Sequence, residues 1–312
     1  MGSFVAVAVM GILAAALLGP IPAVLDRARW PYREPRAALV LWQAVGLAGG
    51  LTVLGTAAAM ALAPLGPTLW EAAAVYVRNL ASGDLTGGLG IGHLILLAIA
   101  VMITAWLVGV LPVTIWRTFK ARKRHRQLVD LVSRPWPTAR PGDGRVLDHP
   151  DAAAYCLPGR VARGRTRIIF TTGALSRLDD AEVAAVLAHE DAHLTERHDL
   201  VALPFLAWVT AFPWFPGVRR ARFAVATLLE MVADDRATSS TKPATLASAL
   251  ARMGSGAHTP PGSLPIDGGS VLARVHRLLD PPPRSWGWRI SAYLLAIALV
   301  SVPINAVGAS LY

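Results

Sequence analysis

Charge is scarce in this chain: Asp, Glu, Lys and Arg make up 16% of its 312 residues, where soluble domains carry about 25%. With 54% apolar side chains and a mean hydropathy of +0.46, ordinary soluble enzymes and disordered tails are both disfavoured. Cysteine is nearly absent. A single residue, Cys156, excludes an intramolecular disulfide and with it the disulfide-stapled secreted class. Negative charge is the scarcer sign, with 20 Asp plus Glu against 30 Lys plus Arg and a formal net charge of +10. The longest apolar runs hold none of it. The basic excess therefore belongs to loops and a water-facing region, where the anionic cytoplasmic leaflet is a sufficient partner and direct nucleic-acid binding is not required.

What the chain has in quantity is uncharged length. Met1 to Leu25, Ala37 to Trp70, Leu85 to Trp116 and Ile290 to Tyr312 are free of Asp, Glu, Lys and Arg, each long enough for the roughly 20 residues that cross a bilayer. The first lacks the basic start of a cleaved signal peptide and reads as a retained helix. Lys and Arg set the orientation. Arg27, Arg29, Arg33 and Arg36 flank the first loop, only Arg78 marks the second, and Arg117, Lys120, Arg122, Lys123, Arg124 and Arg126 follow the third span. The expectation is a multi-pass plasma-membrane protein with both termini outside, three transmembrane helices in 1–116, a cytoplasmic domain in 117–289 and a last transmembrane helix in 290–312. His93, near a span end, reads as solvated.

Within the cytoplasmic region, Pro135, Pro137, Pro141, Gly142 and Gly144 mark one loop and Gly254 to Gly269 another. Ala154 to Leu157 and Arg167 to Thr172 (RIIFTT) read as short strands joined by a turn at Pro158 and Gly159. A helix then starts at Ser176 or Asp179 and is expected to run to about His198, with Asp179, Asp180 and Glu182 favouring its N-terminus.

That helix carries the chemistry. AVLAHEDAHL sets His189 and His193 four residues apart on one face, with Glu190 beside the first: HExxH. With 8 His and six Glu in the chain, random placement gives about 0.004 such matches, so chance is a poor explanation. Two imidazoles one turn apart can share one Zn2+, and the adjacent carboxylate can take a proton from the metal's water. A catalytic zinc wants a third protein ligand. A longer His motif fails, because Glu196 and Asp199 stand where Gly and His would be required and His198 is one residue out of register. RFAVATLLEMVADDRAT reads as a helix that sets Glu230 and Asp234 four apart, suiting a third ligand and a carboxylate for the free ring N–H of a ligating histidine.

Across Ala154 to Asp280, the order YCLPG, RIIFTTG, HEDAH, ERHDL and EMVADDRA resembles the gluzincin core of membrane metallopeptidases. Two groups share it: the BlaR/MecR antirepressor family, and the HtpX-like and CAAX-prenyl endopeptidases. Both imply one zinc on His189, His193 and Glu230, catalysis by Glu190 and support from Asp234. The BlaR/MecR group fits better, through three helices before the peptidase, an apolar stretch after HExxH (here PWFPGV) and a further helix after it. The implied fold is a mostly α membrane protein, with four transmembrane helices plus an α+β gluzincin peptidase domain holding a small sheet. The implied function is a zinc endopeptidase cutting a cytoplasmic winged-helix repressor. The chain stops just past the last helix, so the extracellular penicillin-binding sensor of the best-known members is not expected.

Leu200 to Val218 is also uncharged. A complete crossing there would put His189 and Glu230 on opposite sides of the bilayer, so the segment is expected to dip in and return or to lie in the interface, with Pro204, Pro213 and Pro216 breaking it and Arg219, Arg220 and Arg222 at its far end. RIIFTT, if an edge strand, would hold an extended protein substrate by strand addition. His258, His276 and Arg274 are candidates to stabilise an oxyanion, and Cys156 reads as a packed residue.

Overall fold

The computed structural model describes residues 2–136, 144–157, 166–253 and 268–308. Four helical stretches in it are long and apolar enough to cross a membrane: Val7–Arg27, Pro35–Leu65, Ile91–Val132 and Trp286–Asn305. The first is α1 (Gly2–Leu18) followed by α2 (Pro20–Arg27), broken at Gly19 because the prolyl nitrogen of Pro20 has no hydrogen to donate. The small residues of α3 (Pro35–Leu62), such as Ala38, Ala44 and Ala48, are buried and let neighbouring helices approach closely. Residues 71–87, expected as a loop, contain most of an amphipathic helix, α4 (Leu69–Ala81), started by Thr68, whose hydroxyl accepts from Glu71 N at 3.1 Å.

Helix α5 (Ile91–Val132) is unbroken over 42 residues, about 63 Å, twice the ~30 Å hydrocarbon core. It passes straight through the position where the sequence suggested the membrane region would end, and strand β1 (Ser133–Pro135) starts directly after it. With β2 (Gly144–Leu147), β3 (Ala154–Leu157) and β4 (Arg167–Thr171) it forms a sheet of order β1-β2-β4-β3, in which only β2 and β4 run parallel. The condition set for RIIFTT is not met: it is an interior strand, and β1 and β3 are the edges. The reason lies in burial. Ile169, Phe170 and Thr171 are consecutively buried, so both faces of β4 are covered, as in a central strand. Asp130 of α5 bolts the sheet on: its carboxylate accepts Arg167 Nε at 3.1 Å and its carbonyl accepts Arg145 Nη2 at 2.8 Å. The turn at Pro158 and Gly159, the prolines 137 and 141 with Gly142, and the loop 254–267 lie outside the described residues.

After the single turn α6 (Thr172–Leu175) comes α7 (Asp180–Thr195). A capping box starts it: Asp179 Oδ1 accepts Glu182 N at 2.8 Å and Glu182 Oε2 accepts Asp179 N at 3.0 Å. It ends three residues short of the expected His198. Arg197, with φ 52, is the only non-glycine residue at positive φ among those described, and this left-handed turn starts α8 (His198–Val201) in a new direction.

Helix α9 (Leu203–Ala211) has nine residues, about 13 Å, too short to cross. It packs on Leu107 and Val110 of α5, and Trp208 lies across Gly46 and Gly50 of α3, where a Cβ on Gly50 would meet its ring at 3.1 Å. The chain turns at Phe212–Phe215 and α10 (Pro216–Ala237) leads back, its Gly217 against the Leu18 carbonyl at the break in the first span. Leu107, Val110 and Leu18 all precede the basic ends of their spans, so the 200–218 segment packs against span residues and turns back instead of continuing as a fifth membrane-length helix. Helices α11 (Pro243–Met253), α12 (Gly268–Leu279) and α13 (Trp286–Gly308) complete the chain.

Polar ties gather the peptidase end of the spans. Glu34, before α3, accepts Arg289 Nε at 2.9 Å and Ser285 N at 3.0 Å. Trp30 stacks on Trp288 with centroids 5.8 Å apart. Arg36 pairs with Glu196, and the buried Arg122 of α5 pairs with Asp199 at 3.0 Å. Helix α4 lies at the opposite end.

Candidate metal centre

Two helices build the site. One turn of α7 carries His189 and His193, and one turn of α10 carries Glu230 and Asp234, each pair four residues apart and so on one face. The helices pack so that His189 Nε2 lies 3.1 Å from His193 Nε2 and 3.3 Å from Glu230 Oε2, with His193 Nε2 3.4 Å from Glu230 Oε1. Three ligands at about 2.0 to 2.1 Å around a tetrahedral zinc would be about 3.4 Å apart, so this triangle fits the ion. Among the described residues these three are the group of His, Cys, Asp or Glu side chains close enough together to hold a metal.

The groups behind the triangle fix its charge. Asp234 is fully buried, its Oδ1 3.0 Å from His189 Nδ1. Arg274 of α12 forks onto that carboxylate, Nε and Nη2 each donating at 2.8 Å, and its Nη1 reaches Glu230 Oε2 at 3.0 Å. Burial works to raise the Asp234 pKa, but Arg274 and His189 overcome it and bring it to about 2. Glu230 is likewise opposed by burial, yet His193, Arg274 and the two imidazole hydrogen bonds hold it well below the carboxylate range. His189 shows the converse. Burial favours its neutral form, but Asp234 and Glu230 raise its pKa to about 9.

Glu190 is buried at the next position of α7, on the side of edge strand β3. Burial, followed by the Glu190 carboxylate, pushes the nearby Cys156 thiol well up, so it stays protonated. The candidates for oxyanion stabilisation separate. Arg274 is committed to Asp234 and Glu230, His276 is exposed on α12, and His258 lies outside the described residues.

His198 is out of register for a longer His motif, yet it lies against the triangle. It is buried and rests edge-on against His193, ring centroids 4.8 Å apart, with its Nδ1 2.9 Å from His193 Nδ1. No helical spacing could reveal this contact, because the left-handed turn at Arg197 creates it. Arg274 had no spacing signal either, standing 40 residues from its partner.

Over residues 120–240 the chain matches the model of Peptidase family M48 and is similar to that family in this stretch, whose members are zinc metallopeptidases. The stretch contains the end of α5, the sheet, α7 and α10, and so every residue of the triangle. No curated protein and no solved structure matches the chain.

Proposed function

We propose that the protein is an integral-membrane zinc endopeptidase whose active site faces the cytoplasm. The observation that carries this reading is the His189–His193–Glu230 triangle with Glu190 at its side, inside a stretch similar to M48 peptidases and joined to four membrane-length helices. A zinc ion held by the triangle would supply Lewis acidity, polarising a peptide carbonyl and lowering the pKa of a water to about 7. The chain's own residues supply the rest. Glu190 takes a proton from the attacking water and returns it to the leaving amine. Asp234 holds His189 in the tautomer whose Nε2 faces the triangle. Arg274 keeps Asp234 and Glu230 charged and oriented. Strand β3, the sheet edge that contacts α7, would hold an extended substrate by strand addition, the role open to RIIFTT had it been an edge.

For the substrate, the reading is a cytoplasmic winged-helix repressor, as in BlaR/MecR-like signalling; the positive charge clusters support a peptidase end on the cytoplasmic side that meets lipid rather than nucleic acid. The second reading is an HtpX-like protease that clears damaged membrane proteins, favoured by α10, which carries Glu230, packing on the short apolar helix α9 that lies against the spans. A non-catalytic zinc-binding scaffold is the third. One comparison separates them: the lengths of winged-helix repressors and of misfolded membrane proteins in cells expressing wild type or Glu190→Gln, with and without envelope stress. Shortened repressors with wild type alone support signalling. Loss of misfolded membrane proteins with repressors intact favours quality control, and an effect that survives Glu190→Gln favours the scaffold.

A further inference from the structure

We propose that His198 is the positioning residue for His193, holding that metal ligand in its binding tautomer through a neutral ring-to-ring hydrogen bond. The inference deepens the zinc-site reading and rests on it. His193 turns Nε2 toward His189 and Glu230, so for that nitrogen to offer a lone pair, the ring proton must sit on Nδ1. The atom facing Nδ1 is His198 Nδ1, at 2.9 Å. His198 must then accept there and carry its own proton on Nε2, which is buried and faces Glu196 Oε2 at 3.7 Å. A carboxylate on that side favours the same placement, so both protons are fixed by one arrangement.

The two histidine ligands are therefore backed differently. His189 has an anion behind it, Asp234; His193 has a neutral imidazole, which orients the ring without adding charge. Ligating histidines usually give their second N–H to a carboxylate, carbonyl or water. Holding a ring in that place takes a rigid mount. His198 begins α8 immediately after the left-handed Arg197, whose Nε donates to Asp199 at 3.2 Å. Asp199 in turn pairs with Arg122 of α5, and Glu196 with Arg36 of α3. The mount is thus tied to two membrane helices.

The test uses the full chain in detergent, with zinc affinity read by competition against a chromogenic chelator. His198→Ala should bind zinc about 10 to 100-fold more weakly than wild type, His198→Phe should be as weak despite filling the space, and His198→Asn, whose side-chain oxygen can accept from Nδ1, should recover most of the loss. The absorption bands of the cobalt-substituted site should shift in the first two variants and not in the third. Melting of chelated protein controls for folding. If Ala and Phe variants melt normally and bind zinc like wild type, or if Asn is no better than Phe, the role of His198 is overturned and the zinc reading stands. If wild type itself takes up no zinc, both fall.

Discussion

Arg274 grips Asp234 with two parallel hydrogen bonds of 2.8 Å inside the protein, and its remaining nitrogen touches Glu230. The fork joins α12 to Glu230 and Asp234 of α10, so the metal triangle depends on a helix that contributes no atom to it. Removing one partner of a buried pair strands the other charge, at a cost of about 3 to 5 kcal/mol. Arg274→Met should lower unfolding stability by that order, and Arg274→Lys should recover only part, having no planar fork. Denaturant unfolding in detergent checks this; a loss under about 1 kcal/mol with Met would show that the pair is not holding α12 in place.

Metal analysis of purified protein should find one zinc per chain. Glu230→Ala should remove it, whereas Asp234→Ala should weaken it by about 10 to 100-fold, because Asp234 acts through His189. Equal affinity of Glu230→Ala and wild type would rule Glu230 out as a ligand.

Protons and metal compete for His189. Its pKa in the absence of metal is raised to about 9, so below that pH it holds a proton that zinc must displace, and above it the nitrogen is free. Apparent zinc affinity should therefore fall about tenfold for each pH unit below 9, as one bound proton is exchanged for the metal. Titrations at pH 7, 8 and 9 measure the slope. A flat response over that range would mean His189 is already neutral.

The position of α9 rests on the absence of side chains at Gly46 and Gly50. A Cβ at Gly50 would lie 3.1 Å from the Trp208 ring, and at Gly46 3.5 Å, an ordinary contact. Gly50→Leu should therefore destabilise by about 1 to 3 kcal/mol, and Gly46→Ala should be far milder. Paired thermal melts of the two variants give the contrast, and equal melts would place Trp208 elsewhere.

Orientation is open to labelling. In a Cys156→Ser background, an impermeant thiol reagent applied to intact cells should modify Gly83→Cys, in the turn after α4, and spare Asp280→Cys, exposed after α12. The reverse pattern would invert the topology.

The sequence made some of this plain and left other parts out of reach, for reasons of range. Spacing along a helix is local, so the two pairs His189/His193 and Glu230/Asp234 could be picked out by counting, and the Asp179–Glu182 cap could be read from the residues themselves. A geometric requirement, that His189 and Glu230 share one side of the bilayer, anticipated the return of the 200–218 segment. Strand order depends on partners far away in the chain, which is why the sequence leaves open whether RIIFTT is an edge and does not show β1 and β2 among prolines and glycines. Arg274 and His198 reach the centre through packing and through one left-handed residue, neither of which leaves a period in the sequence. Helix α4 escaped because its 13 mostly apolar residues, interrupted by Glu71 and Arg78, are too few to stand out as a span and lie between two longer ones.

Because α5 runs into β1 without a joint, it behaves as a drive shaft rather than a tether. Each residue added or deleted between Arg122 and Asp130 would turn the sheet about 100° relative to the spans, setting the Arg122–Asp199 pair against the sheet that Asp130 holds through its arginines. A change of about seven residues, near two full turns, would return the phase to within about 20°, and it would lift the sheet roughly 10 Å along the axis. The length of this helix is therefore set jointly by bilayer thickness and by the azimuth of the metal centre.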